Sequence, residues 1–322
     1  MKLNISLTQM KYVLAVDEHK SFQKAAEVCH VTQPTLSMQI QKLEDQLEMS
    51  VFDRSKKPIE TTPSGHQMII QMRKVLREAE QLEFLLESEK SLIRGPFKLG
   101  IIPTIAPYLL PRFATAVADS YPELELTIEE LQTEQIIQAL ESSRLDAAIL
   151  ATPLHNKGLT EDLLYYENFV FYGHTRHPLH ERKSIKKKDL TSNDVWLLNQ
   201  GHCFRDQVLD LCHSSRSKDS KYSNLIFESG NLETLRKFVD KGVGYTLLPR
   251  LALPDQLSKW PKQAKAISQP EPVREVSLVF LKSFFKAGIV EAIKEEILKA
   301  LPKDINKKAM KKAYVVPINP AY

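Results

Sequence analysis

Three residues in this chain of 322 carry a thiol: Cys29, Cys203 and Cys212. A thiol does its chemistry as the thiolate, which attacks peroxides, binds metals and exchanges with disulfides. Three cysteines in so long a chain, an odd number, do not make a structural disulfide framework. Cys203 and Cys212 are nine residues apart, and Phe204, Val208 and Leu211 fall at i, i+4 and i+7 between them, which predicts a helix. Nine helical residues at ~1.5 Å each separate the two Cα atoms by roughly 13 Å. A disulfide needs them within about 7 Å. A bond between these thiols would therefore require the segment to unravel, coupling oxidation to a change of shape. Cys203 falls where the helix would begin, beside His202 and near Arg205, and a helix N-terminus or a nearby cation lowers a thiol pKa. Cys29 lies on the apolar face of an N-terminal helix and reads as a buried structural thiol. No Cys-x-x-Cys pair occurs, and the nine histidines lack zinc-site spacing, so neither a dithiol enzyme nor a metal site is expected, and no cofactor.

The elements that must hold these residues divide at Gly95-Pro96. Beyond it, candidate strands at 97–102, 123–130, 146–150, 168–173, 194–198, 224–228, 245–248 and 275–281 alternate with helical patterns such as 109–120, 133–143, 232–241 and 286–300. That alternation predicts α/β architecture with parallel sheets, in two small lobes with a cleft between them. Before it, residues 7–16 read as one helix. Phe22, Ala25, Ala26 and Cys29 mark a second. Thr32 caps a third, with Pro34 in its first turn and Leu36, Ile40, Leu43 and Leu47 as its apolar stripe. Two short helices joined by a tight turn read as a helix-turn-helix. An amphipathic pair with an ordinary solvated face fits the pattern equally. Residues 51–60 form a candidate two-stranded wing whose Arg54, Lys56 and Lys57 would touch phosphates without reading sequence. From Thr61 a long helix runs to about Lys90, and Met68, Met72, Val75, Ala79, Leu82 and Leu86 make a heptad seam. Pairing between subunits is the favoured use of that seam; packing on its own domain is the alternative.

Bulk numbers exclude little. The net charge of +4 is no sign of nucleic-acid binding, because five lysines against one aspartate within 301–322 supply all of it and residues 1–66 are neutral. No apolar run approaches the ~18–20 residues of a membrane helix, and no secretory signal pattern opens the chain. The cytoplasm is the expected compartment, with no membrane partner. The Lys-rich stretch 303–322 reads as a solvated tail.

Two stretches carry a resemblance. Phe22-Gln23-Lys24-Ala25-Ala26-Glu27, Val31-Thr32-Gln33-Pro34-Thr35-Leu36-Ser37 and Ile40-Gln41-Lys42-Leu43-Glu44, continued by Thr62-Pro63-Ser64-Gly65, resemble the winged helix-turn-helix of LysR-type transcriptional regulators. Gly201-His202-Cys203-Phe204-Arg205-Asp206-Gln207 with Cys212, and Gly100 to Pro111, are similar to the hydrogen-peroxide-sensing, OxyR-type branch of that family. Leu232 to Arg236 and Thr246 to Pro249 are similar to the same branch. Met38, the polar segment after Cys212 and the Lys-rich tail depart from the pattern.

The resemblance implies residues 1–65 as a winged helix-turn-helix and 66–94 as a dimerisation helix. It implies 95–302 as a periplasmic-binding-protein-like regulatory domain, with lobes 95–166 plus 271–302 and 167–270. It implies Cys203 as the thiol oxidised by hydrogen peroxide and Cys212 as the resolving thiol of a reversible disulfide. Thr104, Thr133, His202, Asp206 and Arg274 would form the peroxide pocket, with Arg274 lowering the thiol pKa. Read singly, Thr104 is equally a loop residue and Arg274 a surface ion pair. Thr32, Gln33, Pro34, Thr35, Ser37, Gln39, Lys42, Arg54, Lys56 and Lys57 would face promoter DNA. A homodimer or homotetramer that contacts RNA polymerase is implied, and no enzymatic activity. A regulator with a small organic effector in the cleft is the competing reading.

Overall fold

The structure is a computed structural model that describes residues 4–87, 93–191, 194–212, 227, 229–284, 286–305 and 313–318. Of the expected strand at 224–228 only Phe227 is described, in no strand; the polar segment after Cys212, the side chain of Leu86 and Lys307, Lys308, Lys311 and Lys312 lie outside the described residues. The chain divides into two compact units: Met1–Ser91 with Glu141–Arg144, and Leu92–Leu140 with Leu145–Tyr322.

The first unit packs α1 (Leu7–His19), α2 (Phe22–Val28) and α3 (Gln33–Leu47) around Val13, Val16, Ala25, Leu36, Ile40 and Leu43. Strands β1 (Phe52–Asp53) and β2 (Glu60–Thr61) pair antiparallel as the wing. Helix α4 (Pro63–Glu87) follows. Its start explains the Thr62-Pro63-Ser64-Gly65 run. Thr62 Oγ1 accepts from the Gly65 amide at 2.9 Å, and Pro63 takes the first helical position, where no N–H is needed. A Cβ on Gly65 would stand 2.2 Å from the Val51 carbonyl oxygen, so only glycine fits. The heptad seam is split. Met68 and Met72 pack against this unit's own core, whereas Leu82 is 65% exposed.

The second unit holds β3 (Gly95–Ile101), α5 (Ala106–Ser120), β4 (Leu124–Glu130), α6 (Thr133–Glu141), β5 (Ala147–Thr152) and β6 (Leu159–Gly173). After these come α7 (Cys203–Leu211), α8 (Leu232–Asp240), β7 (Tyr245–Pro249), β8 (Ala264–Ala266), β9 (Glu271–Leu281), α9 (Ala287–Ala300) and β10 (Ala313–Val315). The strand order is β4-β3-β5-β9-β6-β7, with β10 beside β9 and β8 beside β6. The all-parallel expectation is corrected. Strands β3, β4 and β5 form a parallel set and β10 runs parallel to β9, while the β5–β9, β9–β6, β6–β7 and β6–β8 pairings are antiparallel. Residues 194–198 make isolated bridges rather than a strand, and β6 begins at Leu159, well before 168. That length matters: β6 pairs with β9 over its first part and with β7 over its last, so it runs through both halves. Two hydrophobic cores result. Lobe one is centred on Phe97, Leu99, Ile149 and Ile293; lobe two on Phe171, Phe204, Leu247 and Val239.

Candidate functional site

The thiol site is framed by α7. Gly201, at φ +90°, turns the chain into the helix through a left-handed conformation natural to glycine. A Cβ there would stand 2.5 Å from Gln132 Oε1, so the turn lies close against the start of α6. His202 is the N-cap, Cys203 the first helical residue and Cys212 the C-cap. At ~1.5 Å per residue their Cα atoms are roughly 13 Å apart, beyond the reach of a disulfide. Both thiols are free and buried, and they are buried in different lobes. Cys203 belongs to the lobe-one core and Cys212 to the lobe-two core.

A buried ion pair stands beside Cys203. Glu167 on β6 and Arg274 on β9 are direct cross-strand partners. Arg274 Nη2 donates to Glu167 Oε2 at 2.7 Å and Nε to the same oxygen at 2.9 Å. Nη1 donates to Thr104 Oγ1 at 3.0 Å and Nη2 to the Thr104 carbonyl at 3.1 Å. Glu167 Oε1 accepts the Leu251 amide at 2.9 Å. Both charged side chains are 1% exposed, so each is tolerable there only because the other and these hydrogen bonds compensate its lost hydration. The guanidinium also lies 5.0 Å from the centre of the Phe204 ring. Arg274 is thus no surface ion pair, and Thr104, in the turn before α5 as the loop reading has it, is buried with its hydroxyl and carbonyl both committed to Arg274.

Burial pushes the Cys203 thiol up. The Arg274 charge and hydrogen bonds from the Thr133 side chain and the Phe204 backbone pull it down, and Asp206 adds to the rise. The expectation of a low thiol pKa is corrected in this state, because desolvation outweighs the cation. That cation is Arg274, not the sequence neighbours. Burial holds His202 below its usual pKa, favouring the neutral ring, and Arg205 Nη1 is committed to the Leu198 carbonyl at 2.7 Å. Burial raises the Asp206 carboxyl, with Arg205 opposing.

The environment of Cys212 is different. Its Sγ is 3.5 Å from the Tyr245 hydroxyl, which donates its single proton to the Thr191 carbonyl at 2.6 Å. The thiol is therefore the donor in the sulfur contact. Burial raises its pKa as well. Thr104, Thr133, Arg274, Asp206 and Cys203 thus share one electrostatic neighbourhood, while His202 makes no hydrogen bond to Cys203 among the described residues. Sequence reasoning missed Glu167 and Tyr245. Both look like ordinary strand polar or aromatic residues until strand pairing and burial reveal their partners. Cys29 is half-buried at the C-cap of α2, rather than fully enclosed on its face.

In the first unit, Thr32 caps α3 by accepting the Thr35 amide at 3.4 Å. Gln33, Pro34, Thr35 and Lys42 are exposed, Ser37 and Gln39 half-buried, and Met38 is 63% exposed on the same helix. Gln39 Oε1 accepts from Gln9 at 3.2 Å. Lys56 and Lys57 are exposed at the wing tip. Arg54 has a structural partner: its guanidinium lies 2.7 Å from Glu44 Oε2 and over the Phe22 ring. Glu44 Oε1 in turn accepts the Val51 and Phe52 amides, at 2.7 and 3.2 Å, and so pins the wing to α3. Among the described residues no helix is long and apolar enough to cross a membrane, and no cluster of metal-ligating side chains occurs.

Residues 7–66 match the family described as bacterial regulatory helix-turn-helix protein, lysR family, and residues 90–302 match the LysR substrate binding domain. A hydrogen peroxide-inducible genes activator of Dickeya chrysanthemi is 35% identical over 86% of this chain and 89% of its own. The DNA-binding transcriptional dual regulator OxyR of Escherichia coli is 34% identical with the same coverage. A full-length OxyR variant from Pseudomonas aeruginosa superposes with a TM-score of 0.78 at 32% identity, over 92% of this chain and 99% of that one. An OxyR mutant from Corynebacterium glutamicum, hydrogen-peroxide-bound, gives 0.59 at 30% identity over 93% and 95%.

Proposed function

We propose, for a chain that belongs to the LysR family of bacterial helix-turn-helix regulators, that its two buried thiols make it a regulator of transcription responsive to hydrogen peroxide. Its homologues in sequence and structure are OxyR-type regulators, and a DNA-binding helix-turn-helix is present. One observation carries the redox reading: Cys203 and Cys212 stand at opposite ends of one helix, each in a different lobe's core, with the Arg274–Glu167 pair beside Cys203.

In this reading peroxide enters the neighbourhood of Thr104, Thr133, His202, Asp206 and Arg274. The Cys203 sulfur attacks one peroxide oxygen; an S–O bond forms, the O–O bond breaks, and water leaves with the thiol proton. The Cys212 sulfur then attacks the sulfenic acid; the S–S bond forms, the S–O bond breaks, and the second oxygen leaves as water. The helix between them must unwind, and that rearrangement is the signal. Promoter DNA is met by Thr32, Gln33, Pro34, Thr35, Ser37, Gln39, Lys42, Lys56 and Lys57, with Arg54 acting chiefly through Glu44. Exposed Leu82 in the later half of the α4 seam supports a homodimer, and pairs of dimers a homotetramer. Contact with RNA polymerase and a cytoplasmic setting complete the proposal.

The test is transcription from a target promoter in cells carrying Cys203→Ser. Loss of the peroxide response is expected. Undiminished induction contradicts the sensor role and favours an organic effector instead.

A further inference from the structure

Strand β10 lies outside residues 90–302, the span matched to the regulatory-domain family, and it packs directly on the redox helix. It runs parallel to β9, with Ala313, Tyr314 and Val315 opposite Glu271, Pro272 and Val273, and the Val316 amide donates to the Val273 carbonyl at 2.8 Å. Val273 immediately precedes Arg274. Three contacts reach α7 or its surroundings. The buried Gln207 side chain donates through Nε2 to the Val316 carbonyl at 3.0 Å. The Tyr314 hydroxyl donates to Asp210 Oδ2 at 2.9 Å, and Lys187 joins them, 3.3 Å from that oxygen and 4.4 Å from the Tyr314 ring centre. Val316 is fully buried in the lobe-two core, while Ile318 packs against lobe one. The segment therefore crosses both cores and grips α7 at its middle and near its Cys212 end.

We infer that residues 313–318 are a strap that holds α7 helical and its thiols apart, with Gln207 as the positioning residue, so that release of the strap is a step of disulfide closure. This rests on the peroxide reading above, with hydrogen peroxide as the oxidant. Among the described residues no hydrogen bond or ion pair joins residues 313–318 to the side chains of Cys203, Thr133, Asp206 or Arg274, so the first step, S–O bond formation at Cys203, does not require the strap to be released. The second step, attack by Cys212 with loss of water, requires α7 to unwind, and unwinding takes Gln207 and Asp210 away from β10. A docked strap accepts from the Nε2 side of the Gln207 amide alone, while its buried Oε1 has no hydrogen-bond partner among the described residues. Each hydrogen bond lost on release shifts the opening equilibrium by roughly three- to tenfold.

The experiment uses the full chain with Val316→Asp, which puts a charge into a buried apolar place, and Tyr314→Phe, which removes one hydroxyl and leaves the packing. Hydrogen–deuterium exchange of the α7 amides is measured on reduced protein without oxidant. Sulfenic acid trapping and disulfide formation are then timed by mass spectrometry after hydrogen peroxide. Faster exchange in α7, roughly tenfold for V316D and less for Y314F, with faster disulfide closure and an unchanged sulfenic acid step, is expected. A merely structural role would not split the two steps in this way. Unchanged α7 exchange in both variants overturns the strap, and faster exchange with unchanged closure overturns its control of closure. A wild-type chain that forms no Cys203–Cys212 bond instead overturns the peroxide reading, and gating of closure with it. The exchange data still decide whether β10 holds α7.

Discussion

The Cys203 sulfur lies between opposed influences. Burial favours the thiol, while the Arg274 charge and the Thr133 and Phe204 hydrogen bonds favour the thiolate. Removing Arg274 alone would leave Glu167 charged and unpaired in the core, a loss of roughly 3–5 kcal/mol. The informative variant therefore replaces both, Arg274→Met with Glu167→Met. Sulfenic acid formation at pH 7 is expected to slow and its pH midpoint to rise, because the Arg274 charge no longer favours the thiolate. Stopped-flow rates across pH check this. His202 gives a second residue-scale prediction. Burial depresses its folded-state pKa below 6.5, so the unfolded chain binds more protons between the two values. Its contribution to stability is therefore present above pH 6.5 and is lost as the pH falls toward the folded value. Thermal melts from pH 5 to 8 should show less acid loss in His202→Asn than in the wild type. The thiols and Arg274 were legible in the sequence because type, spacing and a family motif mark them. Glu167 was not, since a lone glutamate among Tyr165, Tyr166 and Asn168 gains meaning only when β6 pairs with β9.

At the scale of elements, local signals carried well where the structure is local. The Thr32 cap, the apolar stripe of α3, the Thr62 cap with Gly65, and α7 itself all follow from short-range rules. Sheet direction did not follow, because β-α alternation predicts parallel pairing but cannot foresee two long antiparallel strands, β6 and β9, threading both lobes. Charge alone could not reveal what holds the wing in place. Arg54 reads as a phosphate contact, yet its nearest partner is the buried Glu44. Glu44→Ala leaves two wing amides and a guanidinium without their acceptor. Arg54 is exposed enough to regain water, so a loss of roughly 2 kcal/mol or more is expected chiefly from the two unsatisfied amides, read as a lower melting temperature for the first unit.

For the molecule as a whole, a helix holds apart two thiols that belong to separate hydrophobic cores, so joining them must disturb both cores at once. That is how a single covalent bond can reach beyond its own loop. Whether these two sulfurs pair therefore decides whether the helix acts as a redox switch. The direct measurement is peptide mapping of the full chain after a slight excess of hydrogen peroxide and alkylation of remaining thiols. The prediction is one intramolecular link, Cys203 to Cys212, with Cys29 alkylated and the α7 amides newly open to exchange. Cys203 and Cys212 both recovered alkylated, or Cys203 linked instead to Cys29, would contradict it.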